Sequence, residues 1–463
     1  MICKSIKKLL CLLFVSFIAF SSFGQKSGQI EFVNDICLPN KLYMLEGVQN
    51  DIFVQPLIKR WRPDNDVVRF SGTANYSRKL QEVASIVQPE DSSIVTLNLI
   101  NTDEFETVKS LSAEVVTGNP GIGDGTVKVS IIGDSFTQGA FFKSALLENK
   151  YVPGIKMIGL CEVNGHPGQF HEGRGGWTLS RYFSISKDRT QHYNGFWQPD
   201  GKYRYWGSTA YWKLVKEVSV SPNPQKWQFM EYYSTIHFIG VSSEFDALGL
   251  KLDPRENDLM YDNEAESFIC FDGIKWKRVE SKDFEWSFNY RKYLDMWKLE
   301  YPEILAEFLG LNDFRNAGLP GNLNFKQWND QMEQMIASYH SVVPNGKFVL
   351  MIPSSSCGIL DNKSGDFTLL QNANMWELRR NIIEKFDNRT DENIYIVDAG
   401  IAIDNYYGTQ FLNDSTYTLP YAGFEGDDRL KVQSGNPHPY PNYPTMGISL
   451  AAFIQRYRMK SKN

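Results

Sequence analysis

The sequence predicts an α/β fold: three layers, α/β/α, around a five-stranded parallel sheet, with an N-terminal β-sandwich-like domain and a large insertion. Three observations predict it. Short strand-like runs fill the chain before residue 125, five apolar runs follow it, and helical patterns separate or follow several of those five. The chain of 463 residues exceeds one ordinary domain of roughly 100–200 residues. Its 42% hydrophobic and 22% charged residues are typical of a globular protein.

Residues 1–24 have the order of a secretory signal peptide. Lys4, Lys7 and Lys8 precede an apolar run, Leu9–Phe20, and small residues follow it. The run is shorter than the roughly 20 residues that a membrane span needs. We therefore expect export to the periplasm or the extracellular space, with no integral membrane segment after signal removal.

Charge and cysteine usage bear on partners and cofactors. The formal net charge of −6 disfavours nucleic acid as a partner, because an acidic surface repels phosphate. Four cysteines outside the leader are scattered and form no CxxC pair, which disfavours a metal site: Cys37, Cys161, Cys270 and Cys357. Either a disulfide or buried free thiols fits their spacing. No cofactor is predicted, and the oligomeric state is left open.

Residues 25–125 are predicted to form the N-terminal β-rich domain and a linker. The strand-like runs are broken by Gly, Pro, Asn and Asp, and they comprise Leu42–Leu45, Asp51–Val54, Val67–Phe70 and Ile94–Ile100. The glycines between 118 and 125 resemble a phosphate-binding loop, but they precede a strand, whereas that fingerprint follows one. We interpret them as a linker.

Residues 126–463 are predicted to form the α/β domain. Its five apolar runs are Val127–Ile132, Ile155–Leu160, Ile304–Leu309, Phe348–Ile352 and Ile394–Val397. Helical spacing marks Phe325–Val343, Leu370–Phe386 and Gly447–Arg456. Strands alternating with helices indicate a parallel sheet covered on both faces, here a flavodoxin-like layer structure with strand order 2-1-3-4-5. The aromatic-rich stretch at about 181–297 is too long for a crossover and is predicted to be an insertion.

Four residues stand where such a sheet places ligands, at strand ends or before the last helix. Ser135 follows the first strand, and Gly176 lies in the glycine-rich loop after the second. Asn312 follows the third strand, and His438 precedes the last helix. Serine and histidine are the residue types of nucleophilic catalysis, whereas glycine N–H and asparagine amide groups can stabilise an oxyanion. Taken alone, Gly-Asp-Ser would equally well be a helix cap.

The ordered set resembles the SGNH (GDS-type) hydrolases, in particular their carbohydrate-esterase-like members, over residues 126–180 and 298–463. The motifs that carry the resemblance are Gly133-Asp134-Ser135, Gly176, Gly310-x-Asn312-Asp313 and His438-Pro439. The resemblance implies that Ser135 is the nucleophile and His438 its base. It also implies an oxyanion hole formed by the N–H groups of Ser135 and Gly176 and by the Asn312 amide. Asp313 is expected to hold its loop.

The chain departs from the family at Gly435, because the family has Asp three residues before the histidine. Asp427, Asp428, Asn436 or a backbone carbonyl could orient His438 instead, and a Ser–His dyad is the preferred interpretation. His166 and His171, which flank the glycine-rich loop, could line the pocket.

The expected substrate is an acylated carbohydrate, most simply an acetylated one. Trp177, next to the oxyanion loop, is expected to wall the substrate cleft. Trp197, Trp206 or Trp212 could form a sugar-stacking platform, although buried tryptophans more often fill cores. Two alternatives stay open: a lipase or thioesterase of the same family, and a non-catalytic carbohydrate-binding protein.

Overall fold

The computed structural model describes most of the chain after the predicted leader. The described residues are 34–60, 66–102, 104–121, 123, 125–187, 194–209, 255–354, 369–404, 411–413, 431–433, 438 and 442–460. The predicted signal peptide lies outside them. Residues 36–463 belong to one compact unit, so the domain boundary near residue 125 stays a prediction.

The described part of the N-terminal region consists mainly of β-strands. Its strands are β1 Lys41–Leu45, β2 Asn50–Phe53, β3 Asp66–Ser71, β4 Arg78–Lys79, β5 Val83–Ile86, β6 Ile94–Asn101 and β7 Glu106–Gly118. They form two sheets, in the orders β1-β7-β6-β3 and β2-β5-β4. On β6, Val95, Leu97 and Leu99 alternate with more exposed residues and are at most 1% exposed. This alternation supplies one side of a separate hydrophobic core.

After residue 125 the chain begins the large parallel sheet. Its first strands are β8 Val127–Gly133, β9 Ile155–Ile158, β10 Cys161–Glu162 and β11 Phe170–Gly173. Both β9 and β11 pair parallel with β8, β9 along its first half and β11 at its carboxyl end. β10 adds an antiparallel edge to β11.

The predicted insertion has a small β structure of its own. Its strands are β12 Trp197–Pro199, β13 Arg204–Ser208, β14 Asp258–Asp262, β15 Ser267–Phe271, β16 Trp276–Val279 and β17 Trp286–Phe288. β12 and β17 pair antiparallel, which brings the two ends of the segment together. β13 to β16 form a separate sheet around Tyr205, Leu259, Phe268 and Cys270.

The remaining strands of the large sheet are β18 Ile304–Phe308, β19 Lys347–Ile352 and β20 Ile394–Asp398. β21 Phe411–Asn413 and β22 Lys431–Gln433 form a separate two-stranded sheet. β18 pairs parallel with β8, β19 with β18, and β20 with β19. The prediction of a mixed α/β fold is confirmed. The predicted count of five strands is wrong, because β10 and β11 bring this sheet to seven. The flavodoxin-like three-layer arrangement stays a prediction.

Seven α-helices are present in the part of the chain that the structure describes: α1 Ser135–Gln138, α2 Leu179–Tyr182, α3 Tyr290–Met296, α4 Leu311–Phe314, α5 Lys326–His340, α6 Leu369–Phe386 and α7 Tyr443–Lys460. The helical spacing on α5 is confirmed, because its apolar positions are buried: Trp328, Met332, Met335, Ile336 and Tyr339. Cys37, Cys161 and Cys270 are buried free thiols, so for these three the thiol interpretation holds.

Candidate active site

Ser135 is the first residue of α1, directly after the carboxyl end of β8. Asp134 caps the helix, its Oδ1 accepting a hydrogen bond from Phe136 N at 2.9 Å. Asp134 and Phe136 are 1% and 0% exposed, whereas Ser135 is only partly buried. The tight turn therefore anchors the neighbours of the serine in the protein interior and leaves its hydroxyl accessible.

Gly176 lies in a loop that is anchored against the same turn. The loop follows β11, and Arg174 N donates to Gly133 O at 2.8 Å. The buried Arg174 guanidinium pairs with Glu172 Oε2 at 2.6 Å. Gly176 has φ +72°, a left-handed conformation that favours glycine. A Cβ there would meet no atom within 4 Å, so the backbone conformation, and not crowding, explains the glycine.

Asn312 connects the two loops. It lies on α4, after β18, and its Nδ2 donates to Asp134 Oδ2 at 3.2 Å and to Trp177 O at 3.1 Å. These acceptors belong to the neighbours of Ser135 and Gly176. The next residue, Asp313, was expected to hold its own loop; it accepts from Leu179 N at 3.0 and 3.2 Å and so holds the start of α2. One amide therefore brings the predicted nucleophile and the predicted oxyanion loop into one site.

Three buried carboxyl groups lie behind Ser135, the predicted nucleophile. Burial raises the pKa of Asp134 to about 7, although the hydrogen bond from Phe136 N lowers it. Burial also raises the pKa of Asp313 to about 7, against the hydrogen bond from Leu179 N. The pKa of Glu307, on β18, is raised well above its usual value by burial and by Asp313. The interior behind Ser135 therefore favours neutral acids.

His438 lies against the residue that follows the nucleophile. Its ring stacks on Phe136 with centroids 5.0 Å apart and planes inclined by 17°. Its Nδ1 lies 2.5 Å from Oη of Tyr443, the first residue of α7. Burial lowers the pKa of His438 to about 4, and Arg315 lowers it further. The ring is therefore neutral, the form that can accept a proton, at all but strongly acidic pH.

Tyr443 was missed by the sequence reasoning. It stands five residues after the histidine, but nothing in the local pattern distinguishes it from an ordinary aromatic residue of an apolar helix. Asp427, Asp428 and Asn436, the predicted partners of the imidazole, lie outside the described residues, as does Trp212.

Several predicted pocket residues are structural. Trp177 is 6% exposed and packs edge-on against Tyr182 at 4.8 Å, so it belongs to the core and is not an open cleft wall. Trp206 is also buried and donates Nε1–H to Asp258 Oδ1 at 2.9 Å, which leaves no face for a sugar. His171 is buried, accepts from Gly173 N at 2.9 Å, and has a pKa lowered to about 3 by burial. The burial of these three rings, which cannot be deduced from residue type, disfavours the roles predicted for them, and those roles stay predictions.

Two other predicted pocket residues keep some exposure. Trp197 is half-buried against Phe183, and His166 is partly exposed. Their predicted roles stay predictions.

The described residues contain neither a candidate metal cluster nor a candidate membrane-spanning helix. No group of three or more His, Cys, Asp or Glu side chains in this part of the chain could hold a metal ion. Within the same residues, no helix is both long and apolar enough to cross a membrane.

Comparisons with known proteins add little. No protein-family profile and no curated protein sequence matches the chain.

One similar solved structure is described as a possible lipase from Chitinophaga pinensis. It shares 13% identity and a TM-score of 0.27, over 72% of this chain and 98% of that one. Another is a carbohydrate esterase family 2 enzyme with a carbohydrate-binding domain from Corynascus thermopiles (Myceliophthora fergusii). It shares 12% identity and a TM-score of 0.28, over 90% and 92%. Such low TM-scores do not establish a common fold, and neither neighbour's activity is transferred to this chain.

Proposed function

We propose that this protein is an exported serine ester hydrolase of the SGNH type that removes acyl groups, most simply acetyl, from a carbohydrate. One observation carries the proposal. The Asn312 amide bonds the neighbours of both Ser135 and Gly176, while His438 stacks on Phe136, which follows Ser135. These contacts link four segments that are far apart in the sequence, and this supports the assignment of the four residues to the roles that acyl transfer requires.

The first half of the reaction forms an acyl-enzyme. Oγ of Ser135 attacks the ester carbonyl carbon while Nε2 of His438 takes its proton. The carbonyl oxygen becomes an oxyanion, which accepts hydrogen bonds from the N–H groups of Ser135 and Gly176 and from the Asn312 amide, where one Nδ2–H turns to it from Asp134 Oδ2 or Trp177 O. The C–O bond to the leaving alcohol then breaks, and His438 returns the proton to that alcohol.

The second half restores the enzyme. Water attacks the acyl carbon, His438 takes a proton from the water, and the same donors hold the second oxyanion. The bond to Oγ breaks, Ser135 regains its proton, and the carboxylic acid leaves. Because the pKa of His438 is lowered to about 4, the base is unprotonated at neutral and mildly acidic pH.

The carbohydrate part of the proposal rests on the sequence. The leader predicts export, and the insertion is rich in aromatic side chains, of which Trp197 is only partly buried. Ring faces of this kind suit sugar rings.

Ser135→Ala tests the chemistry and has the largest expected effect. Ester hydrolysis should fall by roughly 10⁴-fold or more, because the attacking atom is absent. Thermal unfolding should be little changed, because the hydroxyl is partly exposed. An organophosphonate should label the wild type at Ser135 and leave the alanine variant unlabelled. A folded, fully active alanine variant would contradict the mechanism.

A panel of esters tests the substrate class. Rates should fall from acetyl to octanoyl p-nitrophenyl esters, and acetylated oligosaccharides should exceed simple acetates in kcat/KM. Equal or faster turnover of octanoyl esters would favour the lipase alternative. A folded protein that hydrolyses no ester and has an unreactive Ser135 would favour the non-catalytic carbohydrate-binding alternative.

A further inference from the structure

The edge of the His438 ring has a partner that the sequence motifs do not include. Nδ1 lies 2.5 Å from Oη of Tyr443, whose side chain is 7% exposed. In a Ser-His-Asp triad this nitrogen is held by a carboxylate. In this chain Gly435 occupies the position where the resembled family carries that acid.

We propose that Tyr443 is the positioning residue of this site: its Oη accepts a hydrogen bond from Nδ1–H of His438, so Nε2 is the unprotonated nitrogen that takes the Ser135 proton. The inference rests on the proposed esterase function. It replaces the ionised partner of a triad by a neutral phenol.

The direction of the hydrogen bond follows from the chemistry of the ring. A neutral imidazole carries one N–H, on either Nδ1 or Nε2. If Tyr443 donated to Nδ1, the proton would lie on Nε2, and Nε2 could not accept from Ser135. A working base therefore requires that the phenol accepts, which selects the Nδ1–H tautomer.

The three rings together account for the orientation of the imidazole. Stacking on Phe136 fixes the plane of the ring, and the contact with Tyr443 fixes its rotation within that plane. Phe136 and Tyr443 are themselves 5.9 Å apart between centroids. Since Phe136 follows Ser135 in α1, the base is positioned relative to the same turn that presents the nucleophile.

A neutral partner also affects the pH dependence. A phenol stabilises the imidazolium less than a carboxylate does, because it carries no charge. The described groups that face the ring are Arg315, at the end of α4, and Tyr443, on α7. Arg315 and burial both disfavour the charged ring. Because the folded-state pKa is lowered to about 4, activity should persist as pH falls and be lost only near pH 4.

The first experiment observes the tautomer in the wild-type protein. Nitrogen-15 NMR of labelled histidine distinguishes Nδ1–H from Nε2–H, and a His438→Gln variant assigns the signal. We expect Nδ1–H at pH 7. An Nε2–H ring in the folded wild type would overturn the proposal without recourse to any tyrosine variant.

The second experiment removes the phenol. Tyr443→Phe should lower kcat by roughly 10–100-fold, the cost of one lost hydrogen bond with a buried donor left unpaired, with little change in KM. The acid limb of kcat/KM should move to lower pH, because the imidazolium loses its acceptor. Tyr339→Phe is the matched control: it removes a buried hydroxyl that donates to Pro302 O at 3.2 Å, and it should leave kcat and the pH profile unchanged.

The same measurements distinguish Tyr443 from other possible partners of His438, and they distinguish failure of this inference from failure of the proposed esterase function. If Asp427→Ala, Asp428→Ala or Asn436→Ala costs as much as His438→Gln while Tyr443→Phe costs nothing, the orienting group is that residue and the inference fails. Esterase activity that needs Ser135 and His438 but is unaffected by Tyr443→Phe overturns the inference alone. Absence of any esterase activity would defeat the proposed function, whereas the NMR tautomer would still report on Tyr443.

Discussion

The surroundings of Ser135, the predicted nucleophile, and those of His438, its predicted base, are built from different kinds of side chain. We call them the nucleophile side and the base side of the candidate site. Behind Ser135 lie buried carboxyl groups, Asp134, Glu307 and Asp313, whose pKa values are raised by burial. The contacts described for His438 are aromatic, with Phe136 on its face and Tyr443 at its edge. Asp134 and Asp313 thus hold turns near Ser135, whereas aromatic rings contact His438, the predicted base. Carboxyl groups that share a motif with the nucleophile are therefore no guide to the acid of a triad.

The two sides also differ in how they are anchored. Ser135, Gly176 and Asn312 follow strands of one parallel sheet and are tied together by hydrogen bonds to neighbouring residues. His438 precedes a helix, and its described contacts come from single side chains. Small changes in those side chains should therefore affect the base more than comparable changes affect the oxyanion loop.

Asn312→Ala removes the side-chain amide that the nucleophile side contributes to the proposed oxyanion hole. The value of kcat should fall by roughly 10²–10³-fold, the typical cost of losing one oxyanion donor. KM should change little, because the interaction strengthens mainly in the transition state. Steady-state kinetics check this, with Asn322→Ala, an exposed asparagine, as the control. An effect confined to KM would make Asn312 a substrate-binding residue.

Much of this side could be predicted from the sequence, for a physical reason. β8, β18, β19 and β20 are buried on both faces and therefore read as continuous apolar runs. Ligands collect where such strands end, so residues placed there could be assigned from their position alone. β10 and β11 were missed because they are short and polar. Glu172, on β11, is buried with Arg174, Tyr293 and the N–H of Leu160 as partners, and pairings of that kind are tertiary information.

The contacts of the base side could not be predicted from strand ends in the same way. The histidine could be identified from its place before the last helix, but its partner could not. The contact with Tyr443 depends on the tertiary placement of His438 beside the start of α7, which the local pattern does not determine. The same limit explains Trp177, since aromatic residues that fill a core and those that wall a cleft have the same composition. Placement and burial, not residue type, decide these roles.

Glu307→Gln tests whether the buried acids on the nucleophile side are a cost to stability. The folded protein keeps the Glu307 proton to higher pH than the unfolded chain, so its stability falls as pH rises above about 4.5 towards the folded-state pKa. Glutamine removes that slope, which amounts to at most about 1.4 kcal/mol per pH unit. Between pH 5 and pH 8, the free energy of unfolding of the variant, measured with denaturant, should therefore rise relative to that of the wild type. Glu384→Gln, at an exposed position on α6, should show only a constant offset; a matching slope there would refute the assignment.

Gly139→Ala has the smallest expected effect, and it tests the base side by displacing Tyr443. Gly139 ends α1 with φ −72°, a conformation that alanine adopts freely, so no backbone strain is expected. Its Cβ would lie 3.0 Å from Cε2 and 3.2 Å from Oη of Tyr443, so the tyrosine must move by a few tenths of an ångström. Because a displacement of about 1 Å can cost 10²-fold in rate, this smaller one should lower kcat by roughly three- to ten-fold. In a Tyr443→Phe background there is no hydrogen bond left to disturb, so the same substitution should have much less effect. Additive losses in that double-mutant cycle would mean that Gly139 acts on Ser135 directly, through the Ser135 carbonyl that also lies 3.2 Å from the added methyl.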